Sequence, residues 1–116
     1  MVRFFKSFYY AINGVLHGFR FERNMQFHLL AAIIVCLAGA LTGLSTTEWM
    51  IIILLIGGMM ALELMNTAIE RTVDLVTKDI HPLAKQAKDV AAGAVLLFAI
   101  ASAVIGLIIF IPKWFG

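Results

Sequence analysis

Three long apolar segments, at about residues 27–44, 49–70 and 90–111, constrain the fold of this chain more than any other feature. Each is close to the roughly 20 residues that an α-helix needs to cross the ~30 Å apolar core of a bilayer. Hydrophobic residues make up 62% of the 116-residue chain, which is more apolar surface than a soluble domain of this size could bury. The sequence therefore predicts an all-α integral membrane protein in which residues 1–116 form a single membrane-embedded domain.

A fourth helix is predicted ahead of the first span, over about residues 3–20. Its apolar side chains recur at spacings of three and four residues, and its polar and basic side chains occupy the opposite face. The apolar face contains Phe5, Phe8, Tyr9, Ile12, Leu16 and Phe19, and the polar face contains Arg3, Lys6, Asn13, His17 and Arg20. This pattern is typical of an amphipathic helix that lies on the membrane surface. Tyr10 falls on the polar side, as either a ligand contact or an ordinary interfacial tyrosine.

Polar segments separate the predicted helices. Residues 22–28 are interpreted as a hinge before the first span, and residues 42–48 as a short turn after it. The second helix is expected to continue beyond its span to about Val76, where residues 78–82 break it. The proline that ends this segment suits the first turn of the next helix. Residues 112–114 mark the exit from the third span.

The basic residues are distributed unequally between the two sides of the predicted spans. One side carries Arg3, Lys6, Arg20, Arg23, Arg71, Lys78, Lys85 and Lys88, and the other carries only Lys113. The positive-inside rule therefore predicts that the N-terminus and the loop at residues 71–89 face the cytoplasm. Because these residues flank spans and form no dense patch, nucleic-acid binding is not expected.

A polar stripe interrupts the second apolar segment. Glu63, Asn66, Thr67, Glu70 and Asp74 fall on one face of an α-helix. An acid at the edge of a bilayer costs about 2–4 kcal/mol even on lenient scales, so it usually has a partner and a function. A helix that turns polar as it leaves the membrane would explain the outer members of the stripe. It does not explain Glu63, because two further apolar residues follow it.

The stripe connects the lipid zone to the cytosol and permits phosphoryl-transfer chemistry. Glu63 lies about 21 Å along the helix from Trp49, near the depth of a lipid headgroup hydroxyl, and suits a general base. Glu70 is shallower and suits Mg²⁺, with Glu22 as a second carboxylate. Lys85, Lys88 and Asp89 share one face of the third helix just outside the membrane, and a lysine there is a candidate phosphate contact. The residues alone leave one alternative open, a non-catalytic membrane protein with solvated loop charges and a buried ion pair.

The histidines do not suggest a metal site. His28 and His81 are not spaced as a pair of metal ligands, and we interpret each as a loop or interfacial residue. The single cysteine, Cys36, lies in an apolar segment and cannot form a disulfide within the chain. The candidate chemistry is therefore confined to carboxylates, an amide and lysines.

Two motifs carry a resemblance to a known family. The run Glu63-Leu-Met-Asn-Thr-Ala-Ile-Glu70 is followed at a fixed distance by His81-Pro-Leu-Ala-Lys-Gln-Ala-Lys-Asp-Val-Ala-Ala-Gly-Ala-Val-Leu-Leu97, and Glu22-Arg-Asn-Met precedes both. Their order and spacing resemble the small bacterial diacylglycerol kinase family over nearly the whole chain. The residues on either side of Ala-Lys-Asp89 are similar to the Gram-positive branch, whose members phosphorylate undecaprenol.

The resemblance implies three transmembrane helices and a surface helix, assembled as a homotrimer with active sites shared between subunits in the bacterial inner membrane. It implies that Mg²⁺ and ATP are used to phosphorylate a lipid alcohol, either undecaprenol or diacylglycerol. By the same resemblance Glu63 matches the general base, Asn66 the asparagine beside it, and Glu22 and Glu70 the metal-binding carboxylates. The positions that match ATP contacts are Arg3, Tyr10, Glu22, Glu70, Asp79, His81, Lys88 and Asp89.

Overall fold

The computed structural model describes residues 1–116 as four α-helices with short connections. The helices are α1 (Val2–Phe21), α2 (Arg23–Thr42), α3 (Thr46–Val76) and α4 (Pro82–Phe115). The last three are long and apolar enough to cross a membrane by length and composition. The predicted all-helical fold with three candidate spans is therefore confirmed.

The turn between α2 and α3 follows directly from its sequence. Gly43 ends α2 with a φ of 81°, a left-handed conformation that glycine adopts without steric cost. The Ser45 hydroxyl accepts a hydrogen bond from the Glu48 amide at 3.2 Å, and the Glu48 carboxylate accepts one from the Ser45 amide at 2.9 Å. This reciprocal capping box satisfies two amides at the start of α3.

The connection between α3 and α4 lies where the sequence predicted a break. Helix α3 ends at Val76, and α4 begins with Pro82 in its first turn. Nδ1 of His81 accepts a hydrogen bond from the Leu83 amide at 3.1 Å and so caps α4. His81 is thus a loop residue, as interpreted from the sequence.

The hinge predicted over residues 22–28 is confined to a single residue in the structure. Only Glu22 lies outside the helices, in an extended conformation with φ −101° and ψ 116°. Its amide donates to the Gly18 carbonyl, and its own carbonyl accepts from the Gln26 amide. One residue therefore ends α1 and starts α2, because its backbone groups continue the hydrogen bonding of both helices. The polar side chains after it lie on the first turns of α2.

Helices α3 and α4 form the most extensive contact in the fold. Near the α2–α3 turn they enclose a small cluster of buried apolar side chains, Ile52, Ile109 and Phe110. Further along, a Cβ atom on Gly58 would lie 2.6 Å from the Phe98 ring, so the absence of a side chain allows the helices to approach. Only 10 of 116 residues are buried, which leaves most apolar side chains exposed on the surface of the chain.

Candidate active site

Glu63 is a carboxylate buried between two of the candidate membrane-spanning helices. It lies on α3 and is 3% exposed. Its Oε2 atom is 3.6 Å from Nε2 of His28, which is on α2 with its side chain 17% exposed. A buried acid is costly unless it is paired, so this contact with His28 is the main compensation that the chain provides.

Asn66 lies one turn further along α3, on the same side as Glu63, and is 6% exposed. Its Nδ2 donates a hydrogen bond to Oε1 of Glu70 at 3.0 Å. Its Oδ1 is buried and has no hydrogen-bond partner. A buried acceptor left unpaired costs about 1–3 kcal/mol, so the site contains an atom suited to receive a donor from a bound molecule.

Glu22 is brought to this part of α3 by Arg71. The Arg71 guanidinium forms an ion pair with the Glu22 carboxylate, and its Nη1 lies 3.0 Å from Nε2 of His17 on α1. This ion pair ties the α1–α2 junction to α3 at the residue that follows Glu70. The chain nevertheless contains no group of three acidic, histidine or cysteine side chains close enough to bind a metal ion.

Lys88 joins the cytoplasmic ends predicted for α3 and α4. Its Nζ lies 2.6 Å from Oδ1 of Asp74. Asp89 instead pairs with Lys85 at 2.5 Å, one turn away on the same helix and largely exposed. The two neighbouring residues of the second motif therefore face different partners, and only Lys88 connects α4 to the polar face of α3.

The remaining candidates lie apart from Glu63 within one chain. Arg3 and Tyr10 are exposed on α1, and Asp79 and His81 are exposed between α3 and α4. None of the four forms a side-chain hydrogen bond or ion pair with the acidic residues of α3. Their predicted contacts with ATP stay predictions.

The family model for prokaryotic diacylglycerol kinase matches residues 9–110. The chain belongs to this family. The membership confirms the family inferred from the two motifs, and with it the prediction of a lipid kinase that transfers a phosphoryl group from ATP.

The relatives of this family member carry two different names, undecaprenol kinase and diacylglycerol kinase. The undecaprenol kinase of Bacillus subtilis is 62% identical over 96% of this chain and 90% of that protein. The diacylglycerol kinase of Synechocystis sp. is 43% identical over 91% of this chain, which spans 61% of that longer protein. The diacylglycerol kinase of Helicobacter pylori strain J99 is 36% identical over 82% of this chain and 74% of that protein.

Three polar residues of this kinase lie in the network although sequence reasoning gave them no role there. They are His28, which contacts Glu63, Arg71, which pairs with Glu22, and His17, which contacts the Arg71 guanidinium. A signal existed for His28, because it is a polar residue at the start of an apolar helix. It was interpreted as a loop or interfacial residue because it is not spaced as a metal ligand with His81, whereas in the structure it lies on α2.

Proposed function

We propose that this kinase phosphorylates undecaprenol with Mg-ATP and produces undecaprenyl phosphate at the cytoplasmic surface of the bacterial inner membrane. The observation that carries the proposal is Glu63, a 3% exposed carboxylate on an apolar helix, beside a buried acceptor without a partner. Identity of 62% with the undecaprenol kinase of Bacillus subtilis supports the substrate. Diacylglycerol is the second candidate, favoured by the more distant relatives.

Glu63 acts as the general base in this proposal. Its carboxylate accepts the proton of the lipid hydroxyl while the hydroxyl oxygen forms a bond to the γ-phosphorus of ATP and the bond to the ADP oxygen breaks. Burial supports this role, because few water molecules compete with the lipid hydroxyl for the carboxylate. Asn66 supports it as well, since its free Oδ1 lies one turn away and accepts a donor from the substrate or from a bound water.

Glu22 and Glu70 are the proposed Mg²⁺ ligands. Each uses its Oε1 within the chain, toward Arg71 and Asn66 respectively, and neither Oε2 forms a hydrogen bond. Mg²⁺ prefers oxygen ligands and often binds through one or two carboxylates together with substrate phosphates, so the residues present fit this ion. When bound, Mg²⁺ supplies positive charge that neutralises the phosphates.

The nucleotide is proposed to lie between the ends of α1, α3 and α4. Lys88 offers a cation at this position and is held by Asp74 at 2.6 Å with its side chain 39% exposed. A phosphate oxygen can use the remaining donors of its ammonium group. The other proposed contacts, supported by their positions in the family motifs and by their exposure, are Arg3, Tyr10, Asp79, His81 and Asp89.

The proposed assembly is a homotrimer of single-domain subunits with shared active sites. One chain buries few residues and contains no three-ligand metal site, which supports a contribution from a neighbouring subunit. Helix α1 is proposed to lie on the membrane surface, since the side chains of its apolar face, such as Phe5 and Phe8, are exposed. The distribution of basic residues supports a cytoplasmic N-terminus.

The test is transfer of labelled γ-phosphate from Mg-ATP to undecaprenol and to diacylglycerol, compared in mixed micelles of the same composition. Preference for undecaprenol supports the proposal, and preference for diacylglycerol retains the mechanism while replacing the substrate. Absence of transfer to either lipid by folded protein would contradict the proposed function and favour a non-catalytic role.

A further inference from the structure

His28 provides the one polar side-chain contact that Glu63 makes within the chain. The two residues lie on different helices and 35 positions apart, with 3.6 Å between His28 Nε2 and Glu63 Oε2. Neither carboxylate oxygen of Glu63 forms a hydrogen bond to another group of the chain. The orientation of the carboxylate therefore depends on the imidazole more than on any other polar contact.

Other polar groups at this end of the molecule are already engaged. The Asn66 amide donates to Glu70 and not to Glu63. Arg71 pairs with Glu22, and Lys88 pairs with Asp74. No lysine, arginine or amide donor thus competes with His28 for Glu63, which sets this pair apart from the networks around the other carboxylates.

We propose that His28 is a positioning residue that holds the Glu63 carboxylate in the orientation required to accept the proton of the lipid hydroxyl. The inference rests on the proposed function of Glu63 as the general base. A donor at Nε2 restricts rotation of the carboxylate and leaves its other oxygen for the substrate. The 3.6 Å distance is longer than a hydrogen bond, as is common for catalytic contacts without substrate, and the proposal requires it to shorten in the complex.

The experiment compares three substitutions of one residue. His28→Ala removes the donor, His28→Gln places an amide nitrogen at a similar reach to Nε2, and His28→Asn carries the same amide on a shorter side chain. The matched control is Leu30→Ala, which truncates an exposed side chain two residues further along α2. For each variant kcat and both KM values, for ATP and for undecaprenol, are measured together with thermal unfolding and oligomeric state.

We expect His28→Ala to lower kcat by about 100-fold, the size of effect that a small misplacement of a catalytic group produces. Both KM values should stay within about twofold, because the histidine touches Glu63 and not the substrates. His28→Gln should recover most of the lost kcat, whereas His28→Asn should resemble the alanine variant. The Leu30→Ala control should retain the kcat of the native chain.

Several results would overturn the inference. A folded His28→Ala variant with native kcat would do so, as would a loss that appears in KM alone. If the alanine variant does not fold, the comparison of His28→Gln with His28→Asn provides the test. Equal kcat values for these two variants would contradict the inference, because only the longer glutamine side chain can place a donor where Nε2 lies. A native chain that phosphorylates no lipid alcohol would instead contradict the proposed function, and this inference would fall with it.

Discussion

The two ends of the α3–α4 pair differ in whether their polar side chains have hydrogen-bond partners within the chain. At the end near the α2–α3 turn, Glu48 takes part in the capping box and pairs with Lys113 at 3.0 Å. In the same region the Trp114 indole donates to the Thr42 hydroxyl at 2.8 Å. Near the opposite end, Glu63 has one distant partner, and one oxygen of the neighbouring asparagine has none.

This contrast indicates that the two ends of the α3–α4 pair have different roles, one in stability and one in function. At the end near the α2–α3 turn, the paired polar groups join α4 to α2 and α3 beside the buried cluster of Ile52, Ile109 and Phe110. These polar groups therefore stabilise the fold. At the opposite end, the Glu63 carboxylate and the Asn66 Oδ1 are left without a hydrogen bond. Such unpaired polar atoms cost stability and are common at functional sites. Glu63 and the Asn66 Oδ1 are the groups there that make no hydrogen bond within the chain, whereas Glu22, Glu70 and Lys88 each have a partner.

The sharpest test of the contrast replaces one glutamate at each end by the same amide. Glu63→Gln should lower kcat by about 10²–10⁴-fold, the contribution typical of a general base. Glu48→Gln should leave kcat unchanged, because that carboxylate contacts only Ser45 and Lys113. The measurement is phosphoryl transfer at saturating substrates, with oligomeric state as a check on folding. Equal losses from both substitutions would break the comparison.

A smaller effect is expected from the carboxylates proposed to bind Mg²⁺. Glu70→Gln should raise the Mg²⁺ concentration for half-maximal activity by about 10–100-fold, in line with losses of metal affinity when a site is damaged. Excess Mg²⁺ should restore part of the activity, whereas it should not restore Glu63→Gln. Titration of activity with Mg²⁺ after treatment with EDTA measures this, and an unchanged Mg²⁺ requirement would contradict the role of Glu70.

The packing of α3 against α4 can be tested at two adjacent glycines. Gly58→Ala should destabilise the fold by about 1–2 kcal/mol, since its Cβ would meet the Phe98 ring at 2.6 Å and force it to move. Gly57→Ala is the matched control, because nothing lies within 4 Å of its added Cβ. Thermal unfolding of both variants in the same detergent provides the comparison. Similar shifts for the two would show that α3 and α4 pack less closely there.

The smallest effect is expected at the capping box. Ser45→Ala should reduce the free energy of unfolding by about 1 kcal/mol, because it removes the acceptor for the Glu48 amide. Thr47→Ala is the control in the same turn, where the side chain is exposed and makes no hydrogen bond. Neither change should alter kcat. A drop in kcat for Ser45→Ala in folded protein would show that the end near the α2–α3 turn also contributes to the active site.

Much of the architecture was predictable because it depends on local pattern. Apolar segments of membrane-spanning length predicted the three long helices, and the residues around Pro82 predicted the break after Val76. The hinge was predicted too long, because all the polar residues of 22–28 were assigned to it. A helix tolerates such residues when they lie at its end, and a single extended Glu22 was enough to separate α1 from α2.

The sequence by itself determined which residues share a face, since periodicity places Glu63, Asn66 and Glu70 together on α3, and its two motifs determined the family. Tertiary structure alone decided the partners of Glu63 and Glu22. His28 reaches Glu63 across 35 positions, and Arg71 reaches Glu22 across 49. Such contacts depend on the crossing of helices that are far apart in the chain. No local spacing encodes that crossing, because each helix presents several polar residues and packing selects among them.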